Sequence, residues 1–129
     1  MVKSGSNQTS DTIERLVDAL REELLEHGEL LALLHDQRSL RASGPIAKIE
    51  ANRVAARNQS LVIRQARSVR EQCCRELAQI LGLQAGTGVA EMARLLPDAR
   101  GAVLRALCEG IRACEARSQR AGIERVGIL

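Results

Sequence analysis

The chain reads as an all-α protein, an elongated antiparallel bundle of two long helices, a short helix and a C-terminal helix. Three observations predict this. The apolar residues recur at helical spacing over two stretches of more than 25 residues, broken only by "SGP". Only two prolines occur in 129 residues, which leaves room for long helices. No stretch alternates apolar and polar residues as a half-buried strand would.

The length suits one domain with a core that needs no disulfide or metal. Apolar residues make up 45% and aromatic residues 0%, so the core must come from Leu, Ile, Val, Ala, Met and Cys. The domain should span residues 11–122. Residues 1–10, "MVKSGSNQTS", are polar and are expected to be disordered, without the apolar segment of a signal peptide.

The first helix should begin at a Ser10 or Asp11 cap, whose side-chain oxygen can accept from a free N–H of the first turn. Ile13, Val17, Leu20, Leu24, His27, Leu31 and Leu34 then step alternately by 4 and 3 residues, the spacing of a helix packed along another. Asp11, Glu14, Asp18, Glu22, Glu26, Glu29 and Asp36 fall opposite that stripe. The connector "SGP" is short enough to make the next helix an antiparallel neighbour, with Pro45 suited to its first turn.

The second helix should cover 45–82. Its later part has the stripe Val62, Ala66, Val69, Cys73, Leu77 and Ile80, opposite a basic column of Arg53, Arg57, Arg64, Arg67 and Arg75. Its centre, "ARNQSL", is polar, and a changed contact is expected there. Leu20, Leu24, Leu31, Val69 and Leu77 are the expected core. "GLQAGTG" is a loop, and "VAEMARLL" a short helix ending before Pro97. Asp98 should cap a last helix over 98–121, with Gly122 as its stop. The tail "IERVGIL" keeps Ile123, Val126, Ile128 and Leu129 apolar beyond that stop.

The chemistry-bearing residues make no catalytic or metal pattern. Cys73 and Cys74 are adjacent and Cys108 and Cys114 six apart, whereas zinc-binding pairs sit two to four apart on a turn. The cysteines are expected to be reduced, small core residues. His27 and His35 are eight apart and form no helical metal pair. Glu22, Glu23 and Glu26 suggest a carboxylate cluster, but a solvated helix face accounts for them more simply. The glycines at 82–88 precede no Lys-Ser/Thr and form no phosphate loop. No cofactor is implied.

A net charge of +3, with no aromatic side chain on which bases could stack, argues against a nucleic-acid partner. "LLALL" at Leu30–Leu34 is far too short to insert in a membrane. The charge is unevenly placed. Residues 11–36 carry eight acids and two bases, and residues 41–76 eight bases and three acids. Both columns should face solvent, either for solubility and pairing specificity or as a bipolar surface that orients a partner.

The order of these segments is informative. An acidic, leucine-rich "EELLEHGELLALLHDQRSL" leads through a break to a long helix ending "REQCCRELAQILGL", then "GVAEMARLLP" and a last amphipathic helix. This arrangement resembles the FlgN-like flagellar export chaperones over residues 11–122. Glu22, Leu31, Gln37, Leu40, Arg70, Leu77, Leu81, Gly82 and Leu83 carry the resemblance.

The resemblance implies a non-enzymatic cytoplasmic chaperone that holds the C-terminal helical ends of hook-associated proteins, and that meets the export apparatus. It places cargo contacts toward the last helix and tail, here Leu107, Ile111, Cys114, Ile123, Val126, Ile128 and Leu129. The apolar tail has no evident place in a three-helix core, which favours the same region for a partner helix. A structural homo-oligomer, or a nucleic-acid binder using the second helix's arginines, would use the same sequence differently.

Overall fold

The computed structural model describes the backbone of residues 2–96 and 98–126, and the side chains of 7–96 and 98–122. Four helices are seen: α1 (Val2–Ser43), α2 (Ile46–Leu81), α3 (Val89–Arg94) and α4 (Ala99–Val126). No strand occurs among the described residues. At about 1.5 Å per residue, α1 extends roughly 60 Å and α2 roughly 55 Å.

The helix boundaries follow local chemistry. Between α1 and α2 the Gly44 N–H donates to the Leu40 carbonyl, closing the last turn of α1. A Cβ on Gly44 would lie 2.8 Å from that carbonyl oxygen, so the reversal requires glycine. The Pro45 carbonyl accepts from the N–H groups of Lys48 and Ile49 and starts α2. Gly82 ends α2 in the left-handed region, at φ 72°, where a glycine carries no Cβ penalty. The Leu83 N–H reaches back to the Ala78 carbonyl at 2.8 Å, satisfying an orphan acceptor of the last turn. Asp98 caps α4 as expected: its Oδ1 accepts from the Arg100 N–H at 3.0 Å.

Two expected boundaries are corrected. Neither Ser10 nor Asp11 caps α1, because helical backbone runs through residues 2–10, the segment expected to be disordered. Ser10 instead accepts from Arg100 of α4 at 3.1 Å. Gly122 does not stop α4, which continues to Val126 with no left-handed turn at Gly122. Glycine weakens a helix by roughly 1 kcal/mol, which is too little to end one by itself.

α1 is the central element. α2 packs along it antiparallel, as the pairs Arg15–Glu76, Glu23–Arg70 and Glu26–Gln59 show. α4 packs along it parallel, with Arg100 beside Ser10 and Gly110 against Leu24. α2 and α4 have little direct contact, and α3 packs on α4. The closed three-helix core expected from the stripes is therefore only partly formed.

That core is confined to one part of the molecule. Ile13, Leu16, Ala19 and Leu20 of α1 meet Cys73, Cys74, Leu77 and Ala78 of α2. Val89, Met92 and Ala93 of α3 and Leu104 and Ile111 of α4 complete it. Leu20 and Leu77 are core as expected, whereas Leu24 and Leu31 are half-buried.

Val69 is a correction, since it is 49% exposed, and Val62 is exposed with it. α2 is rotated from the expected setting. The side it turns to α1 carries Asn52, Ala56, Gln59, Ile63, Ala66, Arg70, Cys73 and Leu77, with Gln59 and Arg70 half-buried. These residues keep the seven-residue repeat, but three are polar, and each of the three finds a partner on α1.

Candidate functional site

A polar layer bounds the core. The Glu23 side chain is 0% exposed and accepts from Arg70 Nε at 2.9 Å and Nη2 at 3.2 Å. Such a two-pronged pair matches the planar guanidinium to both carboxylate oxygens. Arg67 Nε lies 3.8 Å from Glu23 Oε2, and Arg67 Nη2 donates to Glu115 of α4 at 3.1 Å. Arg67 thus reaches toward two helices across the gap between α2 and α4. The hydrogen bond to Glu23 holds the Arg70 guanidinium above its ordinary pKa.

This layer corrects two expectations. Glu23 is buried rather than part of a solvated face, because it lies toward the apolar side of α1, beside Leu20 and His27. Arg67 faces solvent only in part: its side chain is 42% exposed and reaches Glu115. His27 is packed, at 4% exposed, with Nε2 3.8 Å from Glu23 Oε2. Neither ring nitrogen of His27 has a hydrogen-bond partner.

Cys73 and Cys74 stand as small core residues and Cys108 packs against the core, whereas Cys114 does neither. All four are free thiols, with Cys73 and Cys74 buried and Cys108 and Cys114 half-buried. Burial pushes the Cys74 thiol up to about 11 and also raises Cys73 and Cys108. Among the described residues, no group of three His, Cys, Asp or Glu side chains could hold a metal ion.

Beyond the layer the bundle opens. Leu30, Leu31, Leu33 and Leu34 of α1 are only half-buried, and Ile46 at the start of α2 is 83% exposed. Polar bonds hold α1 and α2 together here. Asn52 Nδ2 donates to the Leu33 carbonyl at 3.1 Å, and Gln59 Nε2 donates to Glu26 Oε1 at 2.7 Å and to its carbonyl at 3.0 Å.

Two clefts flank the end of α4. One, of about 520 Å³, has Leu30 and Leu34 between Ala56 of α2 and Ser118 of α4. The other, of about 540 Å³, lies between the end of α1 and the outer side of α4. No helix among the described residues is long and apolar enough to cross a membrane.

The residues expected to bind a partner are divided by the fold. Ile111 is 5% exposed and belongs to the core. Leu107 packs against the core, and Cys114 is half-buried. Ile123 and Val126 have helical backbone, but their side chains, with Ile128 and Leu129 entire, lie outside the described residues.

The half-buried leucines of α1 were not among the expected site residues. Their signal was present in "LLALL", because four leucines in five residues cannot all sit on one helical stripe. No known family model matches the chain, and no curated protein or solved structure is significantly similar to it.

Proposed function

We propose that the chain is a non-enzymatic cytoplasmic chaperone of flagellar type III export, holding the helical ends of hook-associated proteins before secretion. The observation that carries the reading is the division of the bundle. One part has a closed apolar core, and the other leaves Leu30, Leu31 and Leu34 half-buried, with Leu30 and Leu34 lining an open cleft. A partner helix laid along such a groove buries its apolar stripe against them. The flagellar assignment comes from the resemblance of residues 11–122 to the export-chaperone family. The experiment is calorimetric titration of the chain with a hook-associated protein and with the same protein lacking its C-terminal helix. Binding that survives the deletion would contradict the reading.

A second reading, self-association, rests on a different surface. Leu61, Val62 and Val69 of α2 and Leu25 of α1 are all exposed. Exposed apolar clusters commonly mark contacts between proteins. Sedimentation equilibrium at dilute concentration separates the two, since a helical homo-oligomer stays associated without cargo.

A further inference from the structure

The side of the α1–α2 pair that faces away from α4 carries a seam only half covered. On α2, Val62, Ala66, Val69 and Cys73 step by 4, 3 and 4 residues, the spacing of a helix packed along another. α1 covers half of that stripe: Ala66 and Cys73 are buried, whereas Val62 is 43% and Val69 49% exposed. The two valines lie roughly 150° around α2 from Arg67, which reaches Glu115 of α4. On α1, Asp18, Glu22 and Glu29 fall within roughly 40° of one another. They lie about 140° around α1 from Leu24, which packs on Gly110 of α4.

All three acids are exposed, and among the described residues no cation pairs with them. Asp18 and Val69 line one cleft of about 580 Å³, with buried Ala19 and Cys73 between them. The base in that lining, Arg15, is engaged by Glu76 at 2.8 Å. Sharing a hydrogen bond with Glu26 holds the Glu22 carboxyl above its ordinary pKa, and desolvation and the Glu26 charge add to this.

We propose that this groove receives an amphipathic helix of a partner protein that carries Lys or Arg along one edge of its apolar stripe. The site is separate from the open end of the bundle and does not rest on the cargo reading. Apolar residues of the docked helix cover Val62 and Val69 and complete the repeat that α1 leaves half used. Its cations stand over Asp18, Glu22 and Glu29, which span about 16 Å, or three helical turns. A second copy fits this face less well. Arg53, Arg57 and Arg64 lie roughly 150° around α2 from the two valines, so face-to-face copies bring none of these arginines to the acid row. A polynucleotide would set phosphates against the same row.

The test uses the full chain, labelled at valine and leucine methyl groups, and three peptides: a Leu/Lys amphipathic helix, its Leu/Glu counterpart, and oligo-Lys without leucine. The Leu/Lys peptide should bind most tightly, bind more weakly as salt rises, and shift the Val62 and Val69 methyl signals. Asp18→Asn with Glu22→Gln and Glu29→Gln should weaken that binding by about tenfold or more while circular dichroism stays unchanged. Val69→Ser, at an exposed position, should weaken it as well.

Equal binding of the Leu/Glu peptide would overturn the charge selection, and oligo-Lys binding as tightly would overturn the apolar seam. Leu/Lys binding that shifts Leu30, Leu31 and Leu34 instead would move the peptide to the open end and overturn this site, as would no binding at all. A dimeric mass in sedimentation equilibrium, with Val62 and Val69 shifting on dilution and not with peptide, would give the face to a second copy and overturn the proposal.

Discussion

Buried Glu23 and half-buried Arg70 form a two-pronged ion pair, with nitrogen–oxygen distances of 2.9 and 3.2 Å, that ties α1 to α2. Desolvating both charges is costly, and their attraction offsets this only while both are present. Glu23→Ala should therefore destabilise the protein by about 3–5 kcal/mol, because it strands Arg70 beside Arg67. Replacing both by methionine should cost far less. Urea denaturation of the three variants checks this, and equal losses for the single and double variants would contradict it.

Leucines of α1 should separate by position. Leu20, at 1% exposed, sits in the core, and Leu20→Ala should cost about 2–5 kcal/mol. Leu31 and Leu34 are half-buried at the open end, and alanine there should cost about 1 kcal/mol or less. The same two substitutions should weaken partner binding, whereas Leu20→Ala should not once the protein is folded. Thermal unfolding and calorimetry on matched samples measure both effects.

Much of this fold was legible in the chain. Helical period, the "SGP" break, the Asp98 cap and the loop that opens at Gly82 are local signals, and each appears where its chemistry requires. The setting of α2 was not legible from apolar counting. Val62 and Val69 made the more apolar stripe, yet Asn52, Gln59 and Arg70 face α1 because each has a specific partner there. The site was hidden for the same reason. Burial of Glu23 and the opening beyond it depend on how three helices meet, and no single stripe records that.

Exposed Val62 and Val69 give a check on self-association. Val62→Glu and Val69→Glu should each change stability by no more than about 0.5 kcal/mol, as surface substitutions do. If this face joins two copies, the same variants should lower the mass in sedimentation equilibrium. An unchanged monomeric mass for wild type and variants would remove the second reading.

The buried thiols predict an alkaline decline. Burial raises Cys74 to about 11 from an ordinary value of 9.0. Its raised value means that the neutral thiol is favoured in the fold. The stability it contributes is fully present below about pH 9 and is lost as pH rises toward 11, because the unfolded thiol ionises first. Denaturation midpoints from pH 8 to 11 should fall less steeply in Cys74→Ala than in wild type. Alkylation at pH 8 should modify Cys74 only after unfolding.

A partner helix received at the open end of the bundle would change the surroundings of the leucines there. Methyl nuclear magnetic resonance tests it most directly, with leucine methyl groups followed while the C-terminal helical fragment of a hook-associated protein is added. Shifts are expected at Leu30, Leu31 and Leu34, with Leu16, Leu77 and Leu104 of the core unmoved. Shifts confined to the exposed Leu25 and Leu61, or no shifts at all at saturating fragment, would contradict it.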